Sequence, residues 1–431
     1  MLTEARNRLL TQVGAGTPMG DLMRRYWHPI AALSELDDTP VKPVRIMGED
    51  LVLYRDRAGA LGLLERHCAH RRADLSYGFV EDCGLRCNYH GWRYDERGRC
   101  IQQPFEERAD PEAKLRKSTR IKAYPVEAKA GLVWAYLGPE PAPLVPTWEP
   151  FTWQNGFVQI VFAEIPCNWF QCQENSIDPV HFEWMHDNWG ITRLRGKDGP
   201  YAPTHLKLDF DEFEYGFQYK RVREGSDERS TLWKIGRVCL WPNALFTGEH
   251  FEWRVPIDDQ NTLSVVWAYS RVPHEREPYR QHRIPSWRGP IKDPHTGRWL
   301  SSHIMNQDFI AWVGQGTIAD RTREHLGASD RGITMIRRRF LGELEALARG
   351  EEPKAIVRDY ETNICIRLPI ADRKLFEEGL PRDQFIKFHR ERFRLFGAYT
   401  YQAGQPEAIR REFEDAMGVT IEECLADAEA R

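Results

Sequence analysis

The sequence predicts an α+β protein of two units: an all-β domain near the amino terminus, then a larger domain of mixed α and β structure. Three observations predict it. Short β-favouring runs crowd residues 41–138, five prolines follow between positions 139 and 150, and strand-like and helical patterns alternate beyond them. A chain of 431 residues also exceeds what a single hydrophobic core commonly serves.

Residues 1–40 read as a helical segment. Apolar residues recur at helical spacing over 9–27, around a breaker at Gly14-Ala15-Gly16-Thr17-Pro18, so the segment could clasp the domain that follows. Residues 41–140 form the β domain. Runs at 44–46, 51–54 and 61–64 are bounded by Gly and Asp, residues 88–100 make two strands around Asp95-Glu96-Arg97-Gly98, and 131–137 adds another. The proline-dense stretch suits neither a helix nor a central strand, so it marks a boundary. In residues 141–431, strands at 215–222 and 263–269 precede a helix at 333–348 with Ser329 and Asp330 as candidate caps.

Composition excludes several roles. The chain is 41% hydrophobic with 15 Trp, 15 Tyr and 20 Phe, enough for a large core. A net charge of -4 leaves no basic domain for nucleic acid and no polybasic membrane signal. Residues 1–7 lack the apolar core of a signal peptide, and no run approaches ~18 apolar residues. Nine cysteines, an odd number in a chain this long, fit free thiols and metal ligands in a reducing compartment. A cytoplasmic protein with neither nucleic-acid nor membrane partners is expected.

The most specific pattern is Cys68-Ala69-His70, sixteen residues, then Cys87-Asn88-Tyr89-His90. Each half offers one thiolate and one imidazole. Two Cys can hold one iron and two His the other, the mixed ligation of a Rieske [2Fe-2S] centre, whose neutral imidazoles raise its potential above that of an all-cysteine cluster. A Cys2His2 zinc site is the competing reading, but it places the Cys pair before the His pair, whereas here they alternate. Chance proximity of buried residues is the other.

A second constellation follows in residues 168–186, with Asp178, His181 and His186. Two imidazoles and a carboxylate on one face of Fe(II) leave positions open for O2. His181 and His186 are five apart, about 140° on an ideal helix. A π-bulge or a helix end is therefore expected between them. Asp178 lies one turn before His181 and can accept its outer N–H. An amphipathic helix with packed or solvated histidines is the bland alternative.

The first motif, continued by Gly91-Trp92, resembles the Rieske domain of the ring-hydroxylating oxygenases. The respiratory Rieske proteins add a cysteine to each loop, but neither Ala73 nor Tyr89 is one, and Cys83 has no partner in the first loop and reads as structural. Residues 168–186 resemble the oxygenase α subunit, in which the aspartate of D-x2-H-x4-H bridges the two metal centres. The resemblance makes Asp178 that catalytic bridge, His181 and His186 iron ligands, and Asp308 of Gln307-Asp308 the distant carboxylate ligand, with Glu183 and Asp187 as local rivals. Residues 16–20, 23–27 and 320–330 extend the likeness, which spans roughly residues 10–345, toward the phthalate 4,5-dioxygenase branch and its aromatic O-demethylases. Ala311-Trp312-Val313 lack a glutamate of the family pattern.

That resemblance implies a Rieske domain at 41–140 and an antiparallel, helix-grip catalytic domain at 141–431. It implies a [2Fe-2S] cluster, a mononuclear Fe(II), an NAD(P)H-dependent reductase of flavin and ferredoxin type, and homotrimers or stacked trimers. The implied reaction uses O2 to mono- or dihydroxylate an aromatic, carboxylated substrate. O- or N-demethylation is the alternative, and a pure electron carrier a third. Phe182, Trp184, Trp253 and Trp312 could line the pocket or belong to the core. Arg237 and Arg254 could clamp a substrate carboxylate bidentately or pair structurally. Glu183, if it pointed inward, would repel a dianion.

Overall fold

The computed structural model describes residues 1–198, 203–396 and 400–426. At the amino terminus, Thr3 and Thr17 cap the helices Glu4–Thr11 and Pro18–Met23, each hydroxyl accepting a backbone N–H of the first turn. Pro18 occupies the first helical position of the second, where its missing N–H costs nothing. The helical reading of residues 1–40 is interrupted beyond them, before the short helix Glu35–Asp38. Trp27–Ala32 is a strand, paired antiparallel with Leu132–Tyr136, which also pairs with Val126–Lys129. Its ladder partner lies far along the chain, so no local periodicity could announce it.

The rest of the first domain follows the expected runs. Val41–Ile46, Glu49–Arg55, Leu61–Glu65 and Ala123–Tyr124 form one four-stranded sheet. Its first hairpin turns at Met47-Gly48, both at positive φ, the geometry that matches the twist of two antiparallel strands. Phe79–Val80, Leu85–Arg86, Arg93–Tyr94 and Cys100–Gln102 form a second sheet that carries the Cys–His loops. The proline stretch is neither helix nor strand, and Leu144 donates to the Val357 carbonyl at 2.8 Å, tying it to the second domain.

In that domain an eight-stranded sheet runs His205–Phe213, Gly216–Arg223, Arg237–Leu240, Ala244–Phe246, His250–Pro256, Thr262–Arg271, Gly156–Ile165, Ser286–Arg288. All pairs are antiparallel except the last. The sheet grips the helices Trp169–Asn175 and Arg331–Ala348, as a helix-grip architecture requires. Gly332, Ile336, Phe340 and Leu344 recur every fourth residue and make the buried stripe of the long helix. Gly332 admits no side chain, since a Cβ there would meet Phe210 at 2.5 Å. Phe340 packs edge-on against Trp169 and Phe170 and tilted on Trp241, with ring centroids 5.5, 5.4 and 4.0 Å away. Phe340→Ala is expected to cost about 3–5 kcal/mol of stability, read as a lowered denaturant midpoint, because so enclosed a cavity cannot collapse.

Candidate metal centres

Each half of the first motif is a tight turn closed on its own cysteine. Cys68 donates its N–H to Ala73 O and its carbonyl accepts Arg72 N–H, while Cys87 N–H reaches Trp92 O and Gly91 N–H returns to Cys87 O. Gly91, at φ +76°, makes the second turn possible. The two thiols are buried and close enough to share a proton. The hydrogen bond between them and burial push the Cys68 thiol up, while the same hydrogen bond and the backbone N–H groups of Tyr89 and His90 draw Cys87 down. The Tyr94 hydroxyl lies 3.2 Å from both the Cys68 sulfur and the Ala69 nitrogen. His70 and His90 meet at a ring-centroid distance of 4.5 Å, and Trp92 stacks on His70 at the same distance. The buried His70 Nδ1 has no hydrogen-bond partner, as expected of an atom that ligates metal. Two sulfurs inside and two imidazoles toward the surface fit a [2Fe-2S] cluster with mixed ligands.

The second constellation assembles from two distant segments. The helix Trp169–Asn175 is capped by Asn168, whose side chain accepts Phe170 N–H at 3.0 Å, and it ends just before Asp178-Pro179. The chain resumes as a π-helix at Phe182–Asp187, immediately after His181. The extra residue in that turn brings His186 back to the face of His181, as the five-residue spacing requires. Asp308 arrives from the middle of the helix Ile304–Gly314, its Oδ1 lying 3.6 Å from both His181 Nε2 and His186 Nε2. The three ligand atoms lie within 4.8 Å of one another. Outer contacts hold them: His186 Nδ1 meets Gln307 Oε1 at 2.7 Å, Asn175 donates to Asp308 at 3.2 Å, and Asp178 lies 3.6 Å from His181 Nδ1.

Electrostatics favour a cation at this position. Asp308 is 4% exposed and, among the described residues, has no lysine or arginine partner. Burial alone would lower the His186 pKa, but Asp308 and Gln307 outweigh it and raise it, so the site draws positive charge to that ring. His186 Nε2 is buried without a hydrogen-bond partner. Two imidazoles and one carboxylate are the facial donor set of non-heme Fe(II).

Comparison with known proteins agrees. A family model described as the Rieske [2Fe-2S] domain matches residues 26–125, and another described as LigXa C-terminal domain like matches 294–366. The chain is 56% identical over 423 residues to the 5,5'-dehydrodivanillate O-demethylase oxygenase subunit of a Sphingobium strain, covering 97% of this chain and 98% of the relative. The chain belongs to the Rieske non-heme iron oxygenases. It is also 33% identical over 395 residues to the phthalate 4,5-dioxygenase oxygenase subunit of Pseudomonas putida, across 81% of this chain and 88% of that one. The QL mutant of NdmA from Pseudomonas putida CBB5, solved with caffeine, shares the fold with a TM-score of 0.56 at 20% identity, over 77% of this chain and 94% of that one. Members carry a Rieske cluster and a mononuclear iron, so the electron-carrier alternative falls. No helix among the described residues is long and apolar enough to cross a membrane.

Around the candidate iron site of this oxygenase lies a cavity of about 420 Å³. It separates the residues left open between pocket and core. Phe182 lines it, but Trp184 points outward and is 50% exposed. Trp253 and Trp312 are core residues, the former edge-on to Trp134 at 5.3 Å and the latter under the Arg254 guanidinium at 4.7 Å. Arg254 is fully buried and donates to Glu252 at 2.6 Å, so it is a structural partner rather than a clamp. Arg237 does line the cavity, over the Phe182 ring at 4.0 Å, with its buried Nη1 unpaired and no carboxylate partner among the described residues. Glu183 is 1% exposed and bound by Arg221 and Arg223 at 2.9 Å each and by His205 at 3.0 Å, so it neither ligates metal nor repels an anion. Asp187 lies 3.3 Å from Arg223.

Sequence reasoning passed over Asn175, Gln307 and Tyr94. Each supports a ligand through one hydrogen bond, and only adjacency to a ligand, as in Gln307-Asp308, could have marked any of them. Removing the charge of Glu183 would strand Arg221, so Glu183→Gln is expected to cost about 3–5 kcal/mol. Burial raises the Glu183 pKa, but Arg221, His205 and Arg223 outweigh it and hold it below the usual range. Its stabilisation is therefore full above about pH 4.3 and lost as pH falls through the lowered folded-state value. An acid-unfolding midpoint that does not move in Glu183→Gln would contradict this.

Proposed function

We propose that this oxygenase removes a methyl group from a methoxylated aromatic acid. The observation that carries the proposal is the unpaired Arg237 in the cavity wall shared with His181, His186 and Asp308, taken with the O-demethylase relative that matches nearly the whole chain. In this reading Cys68, His70, Cys87 and His90 hold the cluster, His181, His186 and Asp308 hold Fe(II), and Asp178 links the two centres. When bound, the metals supply single electrons and the place where O2 is reduced. The protein's part is positioning. Arg237, its guanidinium resting over the Phe182 ring, receives the carboxylate in a bidentate grip beside the three candidate iron ligands. Overall, an aryl methyl ether, O2, two electrons and two protons give a phenol, formaldehyde and water. Aromatic hydroxylation would use the same residues, and the phthalate dioxygenase relative keeps it as the second reading.

The electrons come from an NAD(P)H-dependent reductase of flavin and ferredoxin type, in the cytoplasm. We place Trp27–Ala32 inside the Rieske domain, with the catalytic domain beginning at about residue 141. Homotrimers are proposed as well, because Tyr89 lies exposed against His90, ring centroids 3.8 Å apart, and Tyr77 and Phe79 of the same domain are exposed too, apolar surface that a second copy would cover. A monomer in sedimentation at working concentration would contradict the trimer.

The test of function is formaldehyde release from a panel of methoxybenzoates with a compatible reductase. Dihydroxylated products without formaldehyde would overturn demethylation. Arg237→Ala is expected to raise KM for carboxylated substrates about 10- to 100-fold, the worth of one charge-assisted pair. His186→Ala should lower iron from about three to about two per chain while the Rieske electron-paramagnetic-resonance signal persists.

A further inference from the structure

Three residues of the cavity wall form a hydrogen-bonded series that neither metal site uses. Thr247, His250 and Glu252 all line the cavity that holds His186 and Asp308. They sit on one hairpin, between Ala244–Phe246 and His250–Pro256, whose turn is closed by Thr247 N–H on His250 O at 3.2 Å. Gly248, at φ +108°, allows that turn and so sets Thr247 opposite His250. His250 and Glu252 are two apart on the strand and share a face. Thr247 Oγ1 lies 2.8 Å from His250 Nδ1, and His250 Nε2 lies 2.7 Å from Glu252 Oε1.

The chemistry fixes a direction. Glu252 is 3% exposed and also receives Arg254 at 2.6 Å, so its oxygens accept only. With the ring uncharged, donation from Nε2 leaves Nδ1 as an acceptor. The Thr247 hydroxyl gives its hydrogen to Nδ1, and its lone pairs remain for a donor in the cavity. Tyr401, whose ring centroid is 5.0 Å from that of His250, directs its own hydroxyl to Glu249.

We infer that Thr247, oriented by His250 and Glu252, is a subsite for a hydroxyl group on the aromatic substrate, so the preferred substrate is a phenol that also carries the ether. This rests on the demethylase reading for its ether and deepens it. Thr247 would touch substrate, while His250 and Glu252 act through it as positioning residues.

The test compares 4-hydroxy-3-methoxybenzoate with 3,4-dimethoxybenzoate, which differ only in that hydroxyl. Binding to the metal-loaded oxygenase, without reductase, is measured by calorimetry. A site built to receive an O–H rejects the analogue lacking it, so the wild type should prefer the phenol by at least about tenfold. Thr247→Val and His250→Phe should each bring the two affinities within about twofold, and Thr247→Ser should restore the preference. Equal binding by the wild type, a preference that survives Thr247→Val, or no binding of either probe would overturn the subsite. Formaldehyde release from the bound probes is scored separately. Its absence sinks the demethylase reading while the binding ratio still judges Thr247.

Discussion

An ionised carboxylate taken out of water demands a compensating cation, and that demand organises the catalytic domain. Glu174 answers it with Arg321 and Arg337, each at 2.6 Å. Glu183 has Arg221 and Arg223, and Glu252 has Arg254. In each case burial raises the carboxyl pKa and the arginines more than offset it, down to about 2 for Glu252. Asp308 is as deeply buried as these three, yet it faces two imidazoles and an amide instead of a guanidinium. Glu343, 5% exposed, also has no guanidinium within ion-pair distance among the described residues and accepts the Lys354 backbone N–H at 2.9 Å, so Asp308 differs in facing two imidazoles, a donor set that a metal cation would fit.

The ion pairs also explain how the site keeps its shape. Glu174 ends the helix that leads into the Asp178–His186 segment, and its arginines come from residues 321 and 337, so the segment's start is fixed to the long helix. Glu183 lies inside the π-helix between the two histidines, and its arginines come from the strand Gly216–Arg223, so the segment's far part is fixed to the sheet. A π-turn is a poor helix on its own. Anchored at both ends, it holds two imidazoles on one face at a spacing that an α-helix would splay apart.

Much of this was legible in the sequence because it is local. The Cys–His loops are motifs of three and four residues, and the clash between a five-residue spacing and helical periodicity was enough to foresee the π-turn. Asp308 was found through likeness to a family rather than spacing, since nothing local ties it to residues 181 and 186. The strand Trp27–Ala32 was missed for the same reason: its pairing partner is remote. The arginines show a different limit. In His250–Pro256 polar residues alternate with Phe251, Trp253 and Val255, so the two faces are plain, yet every residue of the strand is buried. A sequence shows that His250, Glu252 and Arg254 share a face. It does not show that this face looks into a helix and a cavity rather than water, and so it could not tell Arg254, spent on Glu252, from Arg237, left free.

The two centres solve opposite problems of exposure. At the cluster site the sulfurs are buried, with the Tyr94 hydroxyl beside one of them, while His90 is exposed and His70 half-buried. Burial makes charge on the sulfurs costly, a cost that the hydrogen bond with the Tyr94 hydroxyl partly offsets, while the imidazoles lie toward water. At the iron site the imidazoles turn inward, and access is through a cavity rather than an edge. The first motif therefore presents an imidazole to solvent, whereas His181, His186 and Asp308 face a cavity. Asp178 lies half-buried 3.6 Å from the Nδ1 of His181 while Asp308 meets the Nε2, so the two carboxylates hold that ring by its opposite nitrogens and fix its orientation.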